Sequence, residues 1–425
     1  MRFAVVCGVL VGLVVTGVGE SDRRTLAGDE SPALKAGDRE RVEAEAAGQA
    51  AEADRLFKAG EYAAALPLYE AERASRAALG DLRYEAYALR GVGCCRYFLG
   101  DDDAAIAAWH EARVRDARRE DRGFEGYDWL LIGRSHLRQG RTDEAVKALN
   151  ESLPRLSQAV DRDHEADARL ILAEALLRSG RADEAVGHLA RAEDLARALN
   201  DPARQAAAWL ARARAALTRG EPGLAAELAA DAHTAFKARG AGAEADAAAA
   251  VRTLGEAFAD LGHLPAAVAA LGAAAEAHRR LDDLPAQADD LLLLSAARAD
   301  SGDLAAAARD ARRAADAFGE ADDPDGRIEA LVALADYQNQ AGDRHGAAAT
   351  LASAVGVGRP AAPPSRLVRL LVLAAEVHRL AGLTETSDAF LDEAERVARR
   401  ADNAALRRIV AEARASLTPA PQQAP

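Results

Sequence analysis

The chain has 425 residues, with 54 Lys and Arg against 68 Asp and Glu, a formal net charge of -14. Such a balance leaves no broad basic face to track phosphates, so nucleic acid is not expected as a partner. Half the residues are hydrophobic but only 4% are aromatic, and the surplus is Ala, which suits closely packed helices and not sheets.

Arg2 precedes an apolar run from Phe3 to Val18 that ends at Gly19. A basic start, a short apolar core and small residues beyond it read residues 1–19 as a secretory signal or an uncleaved N-terminal anchor. The chain is then exported to the periplasm or beyond, or held at a membrane through that anchor alone. Residues 20–38 mix Gly, Pro and charge without periodicity and read as a linker.

From Arg39 the pattern turns helical and repetitive. Glycines at 60, 100, 140, 180, 220, 262, 302, 342 and 382 are spaced by forty residues, with one interval of forty-two. A period of this size is the mark of a solenoid. Residues 39–402 therefore read as about nine helix pairs, each turning at its glycine. Seven residues before the glycine every repeat has a small residue (Ala53, Gly93, Gly133, Ala173, Ala213, Gly255, Ser295, Ala335, Ala375). Nine residues after it most have a large apolar one, among them Tyr69, Trp109, Leu149, Leu189, Leu271, Leu351 and Leu391. Small positions are where two helices cross closely, and the large one is the knob beside the crossing.

Asp81, Asp121, Asp161, Asp201, Asp283 and Asp323 recur where each next pair begins. A carboxylate there caps free N–H groups and suits the positive end of the helix dipole. Val357–Pro364 replaces the Asp with three prolines, which predicts a longer or kinked joint before the last pair. Residues 403–417 read as one closing helix with Leu406, Ile409, Val410 and Ala413 on its apolar face. Residues 418–425 read as a disordered tail.

The columns around Gly93, Gly100, Ala105, Trp109 and Ala112 resemble the tetratricopeptide repeat, and nine such units cover residues 39–400. The forty-residue period is similar to a longer-helix class found in bacterial scaffolds and in sensor arms of regulators and proteases. The resemblance implies an all-α, right-handed superhelical solenoid of antiparallel helix pairs whose first helices line a concave groove.

No catalytic arrangement emerges. The nine histidines form no metal-type pair, the Gly240–Gly242 loop lacks the Lys and Ser/Thr of a phosphate cradle, and carboxylate pairs sit at helix starts. The three cysteines show no metal or disulfide spacing. Cys94 and Cys95 are sequence neighbours, and on one helix such residues point roughly 100° apart, so they cannot bridge. No enzyme activity, cofactor or metal is expected.

In the resembled family, residues ten, six, three and two before the turn glycine face the groove. Carried onto this chain, they give Arg90, Tyr97, Phe98, Arg134, Arg138, Arg178 and Arg214 in the first half. The second half offers Glu256, Asp260, Asp300, Asp336 and Glu376. The expected function is a protein–protein interaction scaffold, with an acidic, partly apolar peptide paired to the arginines. The alternative is a sensor or regulatory arm for a separately encoded protease or kinase.

Overall fold

Most turns between helices share one construction, in which a left-handed residue closes one helix and a polar residue opens the next; the joints at 240–243 and 362–363 depart from it. Gly60, Gly100, Gly140, Gly180, Gly220, Gly262, Gly302, Gly342 and Gly382 all have φ between 71° and 87°. At the Gly100 turn, the Asp101 N–H donates to the Arg96 carbonyl at 2.9 Å and the Gly100 N–H to Tyr97 at 3.1 Å. These bonds satisfy carbonyls that the helix end leaves free. Asp101 then accepts from the Ala104 N–H at 3.2 Å and starts the next helix. The turns between pairs follow the same plan. All six aspartates expected as caps accept a backbone N–H from the first turn of their helix.

The computed structural model describes residues 35–240 and 242–417. The expected signal or anchor, most of the linker and the C-terminal tail lie outside the described residues. No described helix is long and apolar enough to cross a membrane. All regular structure among the described residues is helical, and it divides into two compact units, one ending at Ala243 and one beginning at Glu244.

The first unit holds five antiparallel pairs: α1 (Ala36–Lys58) with α2 (Tyr62–Leu79), α3 (Leu82–Phe98) with α4 (Asp102–Arg118), α5 (Arg122–Arg138) with α6 (Thr142–Gln158), α7 (Arg162–Arg178) with α8 (Ala182–Ala198), and α9 (Pro202–Thr218) with α10 (Pro222–Arg239). The second holds four pairs and a closing helix. These are α11 (Glu244–Asp260) with α12 (Leu264–Arg280), α13 (Leu284–Asp300) with α14 (Leu304–Glu320), α15 (Pro324–Gln340) with α16 (Arg344–Ala361), α17 (Pro364–Leu380) with α18 (Thr384–Arg400), and α19 (Ala404–Leu417). The break falls inside the one interval of forty-two residues. There the capping Asp is absent and Gly240 and Gly242 both have positive φ.

Small and large columns meet as their spacing requires. A Cβ added at Gly133 would lie 2.7 Å from Leu149 Cγ, and one at Gly255 would lie 2.7 Å from Leu271 Cγ. At Gly93 it would collide with the Trp109 indole. The large column is buried in every repeat, including Ala229 and Ala311, where the residue is small. In the closing helix, Leu406, Val410 and Ala413 are buried, Ile409 is half-buried, and Asn403 caps its start.

The proline-rich joint departs from expectation. Helix α16 runs through Pro360, and only Ala362 and Pro363 separate it from α17. Pro360 falls in the last turn, so the helix loses a single bond, and Pro364 occupies a first-turn position where no donor is needed. The joint is no longer than the others.

Where the left-handed residue is not glycine, the turn stores strain. Val160 has φ 57° and is 69% exposed, so a β-branched side chain sits in αL without packing to compensate it. Val160→Gly is expected to raise stability by about 1 kcal/mol, the αL penalty less the entropy of glycine. Thermal unfolding of the two chains checks this, and an unchanged midpoint would remove strain from the account.

Candidate partner-binding face

Helical periodicity decides which residues of the first helices reach solvent. A helix packed on its own partner and on both neighbouring repeats keeps one narrow stripe free. In the first unit the accessible residues of this stripe fall among positions thirteen, nine, six and two before the turn glycine, although Gly91, Cys94, Tyr127, Leu131 and Asp167 at the same positions are buried. It carries Asp54, Tyr87, Phe98, Arg134, Arg138, Ile171, Glu174, Arg178 and Arg214, all half-buried or exposed.

Two of the seven candidate residues are not on it. Arg90 is buried: its Nε donates to Asp128 Oδ1 at 2.7 Å, its Nη2 to Asp116, and it lies 4.4 Å over the Phe124 ring. Burial pushes the Asp128 carboxyl upward, against the pull of that guanidinium. Tyr97 is 3% exposed and packs against Trp109. The reason is common to both. Positions ten and three before the glycine point into the repeat junction, as the burial of Leu130, Leu210 and Leu137 also shows.

The other five do share the stripe, in different states. Phe98 stacks on Tyr62 at 4.5 Å and meets Phe57 edge-on. Arg138 is held by Asp102 at 2.6 Å and by the Tyr97 carbonyl at 2.7 Å, its guanidinium 3.4 Å above the Tyr97 ring. Arg178 is half-exposed and donates to Glu174 at 2.5 Å. Arg214 is exposed. Arg134 is half-buried beside Cys94, Tyr97, Trp109 and Leu131, and its Nε has no hydrogen-bond partner.

Tyr87 and Asp54 escaped the sequence reading. The Tyr87 hydroxyl donates to Asp54 at 3.0 Å, and the Tyr69 hydroxyl donates to the same carboxylate at 2.6 Å. Asp54 stands in the column of Arg134, six before its turn glycine, and Tyr87 lies seven residues before Cys94 of that same column.

In the second unit the matching positions six and two before the glycine hold Glu256, Asp260, Asp300, Asp336 and Glu376, with Ala296, Gln340 and Leu380 between them. No Arg or Lys occupies them.

The surface offers contact area and not a chamber. The hollow beside Arg134 is too small for a water molecule. No group of three or more His, Cys, Asp or Glu placed to hold a metal occurs among the described residues. Burial pushes the Cys94 and Cys95 thiols up to about 12, so neither is a nucleophile at neutral pH.

Residues 128–198 match the sequence model of the tetratricopeptide repeat. No curated protein sequence matches the chain. Among solved structures, it is similar to a signal transduction ATPase with numerous domains that has a tetratricopeptide repeat sensor, from Pyrococcus horikoshii. That match has a TM-score of 0.57 at 12% identity and covers 83% of this chain. The chain spans 55% of the length of that protein. It is also similar to a Rap protein complexed with competence and sporulation factor, with a TM-score of 0.50 at 16% identity, covering 78% of this chain and 99% of that one. At these identities the likeness is one of fold alone. The matched stretch is thus of tetratricopeptide-repeat type, and the same paired helices and small-against-large columns run through the other described repeats.

Proposed function

We propose that the chain is a non-enzymatic scaffold whose first unit binds an acidic, partly apolar peptide along the stripe of its first helices. The observation that carries this reading is Arg134. It stands on the free stripe with a buried, unbonded donor, while Arg138 and Arg178 are already held by carboxylates of the chain. A carboxylate arriving from a partner would pair with the guanidinium from its solvent side. Phe98 adds apolar area one repeat away, and Arg214 adds charge on the other side.

The test uses the full chain and a fluorescent peptide series rich in Glu with interspersed aromatics, read by anisotropy. Acidic peptides should bind, binding should weaken with salt, and Arg134→Glu with Arg214→Glu should weaken it on the order of tenfold. Equal binding by the double variant, or no preference for acidic peptides, would defeat the reading. Arg138 is left intact because its loss would disturb the junction at Tyr97.

A second reading is a sensor or regulatory arm of a separately encoded protease or kinase. The fold shared with the sensor-bearing ATPase favours it. Constant co-purification with a catalytic chain would bring it forward.

A further inference from the structure

Two repeat junctions are built around buried charge, at the same three columns. Arg90, Asp116 and Asp128 stand ten before and sixteen after the glycine of the second repeat, and twelve before the glycine of the third. Arg252, His278 and Asp290 occupy those columns at the junction of the sixth and seventh repeats. The bonds also correspond. Arg90 Nε donates to Asp128 at 2.7 Å, and Arg252 Nε donates to Asp290. The third member closes each set: Asp116 accepts from Arg90, while His278 Nδ1 lies 2.6 Å from Asp290 Oδ2. Asp116, Asp128 and Asp290 are fully buried.

Most other junctions fill these columns with apolar residues, although the first holds Arg76 between Ala50 and Ala88. Between the third and fourth repeats they are Leu130, Leu156 and Ala168, and between the seventh and eighth Leu292, Phe318 and Ala330. The fold at this point therefore does not need charge. Buried ion sets commonly add no stability over apolar residues of similar volume, yet a lone buried charge is strongly unfavourable. An Asp128-bearing helix stacked on any repeat without Arg in the matching column would bury an unpaired carboxylate. Nine similar, Ala-rich repeats make wrong stacking and swapping a standing hazard.

We propose that the two charged sets are register locks, which allow the third and seventh repeats to stack only on a repeat that carries Arg in the matching column, the second or the sixth. The test unfolds and refolds the full chain as wild type, as Asp128→Ala, and as a triple variant carrying the neighbouring apolar set, Arg90→Leu, Asp116→Leu and Asp128→Ala. Arg119, which also holds Asp116, keeps Asp121 as a partner at 3.4 Å. The triple variant should unfold at the wild-type denaturant concentration or higher. It should refold with loss of the single species that the wild type gives on size-exclusion and native mass spectrometry. Refolding of the triple variant to the wild-type species in equal yield would overturn the proposal. So would unfolding below Asp128→Ala, which would make the set a source of stability alone. Arg252→Leu, His278→Phe and Asp290→Ala repeat the test in the second unit, should the first triple variant fail to fold.

Discussion

Asp128→Ala is expected to lower the unfolding free energy by about 3–5 kcal/mol, a large fraction of what a domain of this kind possesses. The reason lies in what remains. Arg90 is only 8% exposed and would lose its Nε partner while keeping Asp116, which it already shares with Arg119. No water reaches the vacated oxygens' position without opening the junction between α3 and α5. Denaturant titration of the purified chain gives the number directly. A loss under about 1 kcal/mol would mean that Arg90 finds solvent or another acceptor, and that the junction is looser than its burial implies.

Trp109→Ala should cost a similar amount, about 3–5 kcal/mol, by leaving a cavity at the crossing of α3 and α4. Trp109 is 1% exposed, and its indole occupies the space that a Cβ at Gly93 would need. The protein itself supplies the milder exchange. In the fourth repeat, the same two columns hold Ala173 and Leu189, both fully buried. Changing Gly93→Ala together with Trp109→Leu installs that pair, and most of the loss should be recovered. Gly93→Ala alone should destabilise by about 1–3 kcal/mol through overpacking. With Trp109→Leu alone added, wild type, Gly93→Ala, Trp109→Leu and the double variant form a double-mutant cycle in which the double should lose less than the sum of the two singles. Additive losses would show that the two columns do not pack as a pair.

What the sequence disclosed and what it hid follow from the range of each interaction. The turn glycines, the capping aspartates and the small-against-large columns are settled within forty residues, so their spacing alone placed the helices. The stripe facing solvent depends on the next repeat, which covers one side of every first helix. Arg90 and Tyr97 were assigned to the groove because their column could not be told from its neighbour without that covering repeat. A clue was present nonetheless: Arg90 stands in a column that holds Leu130, Leu170 and Leu210 in the repeats that follow. A charge among leucines points inward to a partner, here Asp128, more readily than outward. The proline joint misled for a related reason, since a proline's disruption depends on its distance from the helix end.

The two kinds of turn share one construction, and this gives the chain a second, shorter rhythm. Helices of seventeen or eighteen residues start at 82, 102, 122, 142, 162, 182, 202 and 222, so the backbone repeats every twenty residues while the side chains repeat every forty. A single helix, and not a pair, is thus the backbone's unit of growth. Gain or loss of twenty residues would leave the path of the chain continuous and exchange the inner and outer roles of every helix beyond the change. Only the small and large columns forbid that exchange, so the side chains alone hold the distinction between the first and second helix of a pair.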